Sequence, residues 1–161
     1  MDIPVEKRFA VLSQITRAQH FAWRRAVVEL CPDVDPVAVV DRMWEITGVD
    51  TARAYIKRLD PSKDLPLQVA RSIAWSSQCM GEDAHVEQDG AEASVRHDEC
   101  PWFDWHKKEG VLAEDRPGCD AWYRSTIDQV NTTLGTQLDF ETVETLPEGG
   151  TCCRRRIWER S

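Results

Sequence analysis

The chain has 161 residues, 20 of them basic and 28 acidic, for a net charge of −8, and 42% are hydrophobic. That is the size of one globular domain; no apolar run nears the ~18 residues of a membrane span, and an acidic surface repels phosphate backbones and anionic lipid. The dense basic run Arg154-Arg155-Arg156 is too short for a nucleic-acid footprint.

The first eighty residues read as helix. Phe9, Leu12, Thr16, Trp23, Val27 and Leu30 follow the i, i+3, i+4 spacing of an apolar face, and Pro32 ends that element. Asp35 suits an N-cap with Pro36 at the first helical position, and Val39, Val40, Met43 and Trp44 form the next face as far as Gly48. Asp50 caps a short continuation through Ala54 and Ile56. A further helix starts after Asp64, carries Leu65, Pro66, Val69, Ile73 and Trp75, and stops at Gly81.

At residue 84 a period of two replaces 3.6. Asp89-Gly90 is a strong hairpin signal, and a two-residue turn there pairs Gln88 with Ala91, Val86 with Ala93 and Ala84 with Val95. Ala84, Val86, Ala91, Ala93, Val95 and His97 then face inward, with Glu87 opposite Glu92. A short helix follows over residues 101–109, with Cys100 at its N-cap, Pro101 inside it and Gly110 past its end. After a linker at 115–118 comes a helix over 120–134, ended by Gly135. Strands over 137–143 and 151–159 flank a Pro147-Glu148-Gly149-Gly150 turn.

The expected fold is α+β in a single domain, 1–161. A helical part, 1–81, precedes a part, 82–161, in which two hairpins make a four-stranded antiparallel sheet with helices packed on it. The sequence holds no G-x-G-x-x-G, no Walker motif, no G-x-S-x-G and no H-E-x-x-H, so no cofactor is implied.

The amino-terminal stretch has no basic segment followed by an apolar one, so the cytoplasm is the expected compartment. There the six cysteines should be reduced, and serve as small hydrophobes, metal ligands or reactive thiols. Cys31 and Cys79 read as core. Cys100 and Cys119 each fall at an expected helix start, where the positive dipole end favours a thiolate, although Asp120 opposes this at Cys119. His97 and His106 are candidate proton carriers, against the alternative of structural histidines. With period two the last strand sets Cys153, Arg155 and Ile157 on one face and Cys152, Arg154, Arg156 and Trp158 on the other, so the core face brings a guanidinium with it. That arginine needs an anion, either a substrate carboxylate or an internal Asp or Glu. Trp102, Trp105 and Trp122 are either core or the lining of a small ring-shaped site. A metal is not expected; if one binds, His97, Cys100, Cys119 and Cys153 are its ligands.

The segments His97-Asp98-Glu99-Cys100-Pro101-Trp102 and Pro117-Gly118-Cys119-Asp120-Ala121-Trp122, the stretch 127–131, and Leu146-Pro147-Glu148-Gly149-Gly150-Thr151-Cys152-Cys153 together resemble the L-2-amino-thiazoline-4-carboxylic acid hydrolase-like family. The resemblance covers about the last 65 residues. It implies hydrolytic opening of a small cyclic C–N compound bearing a carboxylate. On that reading Cys119 or Cys100 attacks an amidine-like or amide carbon, His97 or His106 moves the proton, and an arginine among Arg154, Arg155 and Arg156 holds the carboxylate. The alternative is a non-catalytic small-ligand or metal-binding sensor module, or an accessory subunit. A small molecule is the expected partner, neither nucleic acid nor membrane is, and Trp23 and Trp44 suit a homo-oligomeric contact of the amino-terminal helices.

Overall fold

A computed structural model describes residues 2–160; Met1 and Ser161 lie outside it. Three helices, α1 (Val5–Leu30), α2 (Pro36–Ile56) and α3 (Leu65–Cys79), precede a hairpin of β1 (Asp83–Asp89) and β2 (Glu92–Glu99). Then come α4 (Pro101–Glu109), a 3-10 turn (Leu112–Glu114), α5 (Asp115–Leu134), β3 (Leu138–Glu144), a second 3-10 turn (Leu146–Glu148) and β4 (Cys153–Glu159). The four strands make one antiparallel sheet in the order β1-β2-β4-β3, so the fold is α+β with two sequential hairpins joined through β2 and β4. Among the described residues no helix is long and apolar enough to cross a membrane.

The helix starts follow from capping. The Asp35 carboxylate accepts from the Val37 amide and that of Asp64 from the Leu67 amide, each at 3.0 Å, with a proline in each first turn. The helices α3 and α5 cover the inner face of the sheet and α2 packs on α5, in one core that includes Tyr55, Val69, Ile73, Val95, Ile127, Val130 and Ile157.

Five sequence expectations change. First, α2 runs through Gly48 without a break, and Asp50 caps nothing but pairs with Arg53 at 2.9 Å. Gly48 is present because α5 crosses there. A Cβ at this position would lie 2.6 Å from the Trp122 carbonyl oxygen and 3.0 Å from Ser125 Cβ, and the Thr126 hydroxyl donates to the Gly48 carbonyl at 3.2 Å. Second, the supposed linker 115–118 is the first turn of α5. Pro117 is tolerated where amides lack intrahelical partners, and Gly118 lets the Trp44 ring approach to 2.7 Å of where a Cβ would stand.

Third, the hairpin turn sits on Gly90 and Ala91, with Asp89 opposite Glu92, Gln88 opposite Ala93, Val86 opposite Val95 and Ala84 opposite His97. This two-residue slip keeps Ala84, Ala93, Val95 and His97 inward but puts Ala91 in the exposed turn. Fourth, α1 turns its expected apolar stripe outward. Its buried positions are Ser13, Arg17 and Phe21, while Phe9, Leu12, Trp23 and Leu30 are exposed. Arg17 donates to the Met80 carbonyl at 2.8 Å and Phe21 stacks on Trp105, so one ring and one charged stem anchor this helix. Trp75, expected inward on α3, is also exposed, beneath the Arg58 guanidinium.

Gly48→Ala should destabilise the chain by about 1–3 kcal/mol through overpacking against α5, opposite in sign to the usual gain from Gly to Ala within a helix. Chemical denaturation of both proteins checks this; an unchanged or raised midpoint would mean that the crossing is looser than described.

Candidate active site

The alternation of β4 puts Cys153, Arg155 and Ile157 on the inner face of the sheet, where β2 contributes His97 directly opposite Cys153. His97 is buried. Its Nε2 lies 3.0 Å from the Ser77 hydroxyl and 3.2 Å from the Glu82 carboxylate. Two residues along β4, Arg155 is 2% exposed. Its Nε donates to Asp120 Oδ1 at 3.2 Å, and its guanidinium lies over the Tyr123 ring, 4.9 Å from the centroid. The anion required by the core-facing arginine is therefore the internal one, Asp120. That carboxylate also accepts from the Thr142 hydroxyl at 2.7 Å and from Arg116 Nε at 3.3 Å.

Three thiols share this layer. Cys119 lies in the second turn of α5, not at its start, so the helix dipole gives it little. Burial pushes its thiol up to about 12; Arg155 pulls it down, and Asp115, Glu82 and Cys153 push it further up. Cys100 does occupy the N-cap of α4, but burial outweighs the Phe103 amide and holds its thiol well above the ordinary value. Cys153 is raised by burial as well, yet it has two partners that favour an anion: Arg155, and the Leu146 amide, which donates to Sγ at 3.4 Å. Cys152, the buried residue just before β4, donates to the Glu144 carboxylate at 3.5 Å and is raised by burial and by that charge. All four are held as protonated thiols at neutral pH. Cys31 and Cys79, expected in the core, are exposed, and all six cysteines are free.

Other expected site residues are dispersed. Arg154 and Arg156 stand on the outer face of the sheet, the first 3.4 Å from Glu87 and the second 3.0 Å from Glu92 and 2.8 Å from Glu141. Of the three consecutive arginines, only Arg155 acts on Cys119 and Cys153. Trp105 stacks on Phe21, Trp102 meets Trp44 edge to face, and Trp122 packs on Tyr123 near the α2–α5 crossing, so the three tryptophans do not line one cavity. His97, Cys100, Cys119 and Cys153 do not gather their donor atoms as a metal site does. Among the described residues, such atoms lie within 4.8 Å of one another only at Asp83, His85 and Asp98, on the outer side of the first hairpin.

His106 belongs to a second cluster. Its Nδ1 is 2.9 Å from the Trp102 carbonyl and 3.1 Å from Asp115 Oδ2. Beside it His20, absent from the sequence reading, is ringed by Phe21, Trp44, Trp102 and His106 at centroid distances of 4.9 to 6.5 Å. Its Nε2 and Asp41 Oδ1 are buried without hydrogen-bond partners. Burial, then the neighbouring His106, lowers the His20 pKa to about 4, and burial with the nearby Glu114 raises that of Asp41. Arg24 holds Glu114 through two bonds of 2.7 and 2.5 Å. The sequence signal for this cluster is the polar row Ser13, Arg17, His20 and Arg24, which has helical spacing beside the apolar stripe.

Over the start of α5 lies an open groove of about 520 Å³, lined by Leu112, Ala113, Arg116, Pro117, Pro147 and Glu148. Arg116 bonds both Glu148 and Asp120. Asp120 thus joins the groove to the buried guanidinium.

A family model described as L-2-amino-thiazoline-4-carboxylic acid hydrolase matches residues 12–157. No curated protein matches the sequence. Among solved structures, the chain is similar to trafficking protein particle complex subunit 3 from Naegleria fowleri, covalently bound to palmitic acid. The identity is 17% and the TM-score 0.56, over 94% of this chain and 97% of that one. It is also similar to the phenol-responsive sensory domain of the transcription activator PoxR with phenol, at 14% identity and a TM-score of 0.53, over 89% of this chain and 74% of that one. These likenesses extend to the fold.

Two outcomes are expected. Alkylation at neutral pH with mass mapping should label exposed Cys31 and Cys79 first and half-buried Cys119 more slowly, with its rate rising as the pH climbs toward about 12. His20 should stay neutral to about pH 4, against an ordinary value of 6.5. The unfolded chain then binds the extra proton between those values, so stability falls as pH falls through that window. Denaturation across the window should show a shallower fall for His20→Leu, and an NMR titration of His20 near 6.5 would contradict the burial effect.

Proposed function

The chain belongs to the L-2-amino-thiazoline-4-carboxylic acid hydrolase family, and from that we propose that it hydrolyses a small cyclic C–N compound bearing a carboxylate. The observation that carries this reading is the shared carboxylate of Asp120, set between Arg116 in the open groove and Arg155 among the thiols. A substrate carboxylate entering the groove exchanges with Glu148 or Asp120 on Arg116, whose fork suits it. A volume of about 520 Å³ is ample for a single ring.

The thiols near Arg155, Cys119 or Cys153, supply the nucleophile, with Cys100 the remaining candidate. Since these thiols rest protonated, a base must take the proton, and we assign that role to His97, which pairs across the strands with Cys153 and contacts Glu82. The thiolate adds to the amidine carbon, the imidazolium returns its proton to the departing ring atom, and the ring opens. Water then cleaves the carbon–sulfur bond of the intermediate and restores the thiol. Arg155 stabilises the transient negative charge on sulfur.

A second reading is favoured by the aromatic cluster. His20 presents an unpartnered Nε2 between Trp44 and Trp102, as a site for a small hydroxylated ring would, and the PoxR sensory domain of similar fold has phenol bound. On this reading the chain is a non-catalytic small-ligand module.

Assay of the purified chain with 2-amino-thiazoline-4-carboxylate separates the two. The hydrolase reading expects turnover, a loss of about 100-fold or more in kcat for Cys119→Ser or Cys153→Ser, and a KM raised about tenfold with little change in kcat for Arg116→Ala. Full turnover in both cysteine variants would overturn the thiol mechanism. Saturable binding of phenol without turnover of any cyclic amidine would favour the sensor module.

A further inference from the structure

The outward stripe of α1 has a pattern that its own fold does not use. Val5, Phe9, Leu12, Thr16, Gln19, Trp23, Ala26 and Leu30 alternate in steps of four and three, the a and d positions of a heptad repeat. Ser13, Arg17 and Phe21, which anchor the helix to its own chain, lie on a different face. Leu30 is 79%, Val5 71% and Leu12 62% exposed, and Phe9 and Trp23 about two-fifths. Beside Trp23 an apolar groove of about 440 Å³ runs along α2, between Val39, Met43 and Ile46. An exposed apolar strip of this length, interrupted only at Thr16 and Gln19, marks an interaction site.

We infer that the partner is a second copy of this chain, with the two α1 helices packed antiparallel about a two-fold axis between Thr16 and Gln19. The pattern is complementary to itself in that arrangement. Leu30 meets Val5 of the other copy, bulky Phe9 meets small Ala26, and Leu12 meets Trp23 at the mouth of the groove. The polar pair, Thr16 and Gln19, meets its own copy at the centre, where polar residues in a heptad seam fix register. Charge agrees as well. Arg8 and Glu29 flank the same edge of the stripe near opposite ends, so antiparallel packing sets each beside the other's copy, although Arg8 also reaches Asp2 of its own chain at 2.7 Å. The helix has 26 residues, ~39 Å at the usual rise. A stable interface buries ~800 Å² per partner, so the contact draws on the groove as well as on the strip. An isologous contact of this kind closes on itself and yields a dimer, not a fibre.

The test is sedimentation velocity of the full chain from about 1 to 100 μM, a range that brackets ordinary weak dimers. A dimer is expected. Leu12→Glu lies on the exposed face, so it should leave the far-UV CD spectrum and folding intact while raising the dissociation constant about 100-fold. Arg8→Glu and Glu29→Arg should each weaken the dimer a few-fold, and the double swap should recover it, which singles out the antiparallel register. A monomer throughout the range, or a dimer that Leu12→Glu leaves unchanged, would overturn the inference.

Discussion

A guanidinium inside the sheet face dictates much of what surrounds it. Arg155 cannot shed its charge, so the fold must deliver an anion to it, and Asp120 arrives on α5. Asp120 in turn takes a hydroxyl from β3 and a second guanidinium from the surface, so one carboxylate ties β4, β3 and α5 together. Tyr123, one turn along α5 from Asp120, supplies the aromatic face over which the cation lies. Removing Asp120 leaves the buried guanidinium without its carboxylate, which costs more than the pair itself stabilises, whereas without Arg155 the partly exposed Asp120 still has Arg116.

That same charge organises the thiols. Their burial alone favours the neutral form, and Arg155 is the neighbour that favours sulfur as an anion at both Cys119 and Cys153. A positive charge already fixed among neutral thiols is an arrangement in which a transient thiolate is stabilised only when one is made. Reactivity then depends on proton removal, and His97 with Glu82 is the imidazole on that face.

Features decided within a few residues were legible in the sequence. The caps at Asp35 and Asp64, the short helix from Pro101 to Gly110 and the guanidinium on the inner side of the last strand follow from local chemistry or from strict alternation. Features that need a distant partner were not. Gly48 and Gly118 look like punctuation, but each is a point where another element comes too close for a side chain. The stripe on α1 gives a face but not what the face meets. In the hairpin, Asp-Gly marks the turn, yet Gly90, with φ +59°, takes the first central position, so the tip is Gly90 and Ala91 and Asp89 stays in the ladder. At the site, the helix-start argument for the cysteines failed because solvent exclusion outweighs a dipole, and exclusion is a property of the whole core.

The sheet is open, with β1 and β3 as its edges. Both edges are interrupted. The pairing of β1 slips between Asp83 and Ala84, and that of β3 between Thr142 and Glu144, where Val143 is left out of the ladder and exposed. Charged side chains at Asp83, Glu87 and Asp89 line the first edge. Irregular, charged edges are poor templates for an incoming strand. The sheet therefore resists the edge-to-edge growth that leads to amyloid, and a partly unfolded chain is expected to aggregate through its helical half before its strands.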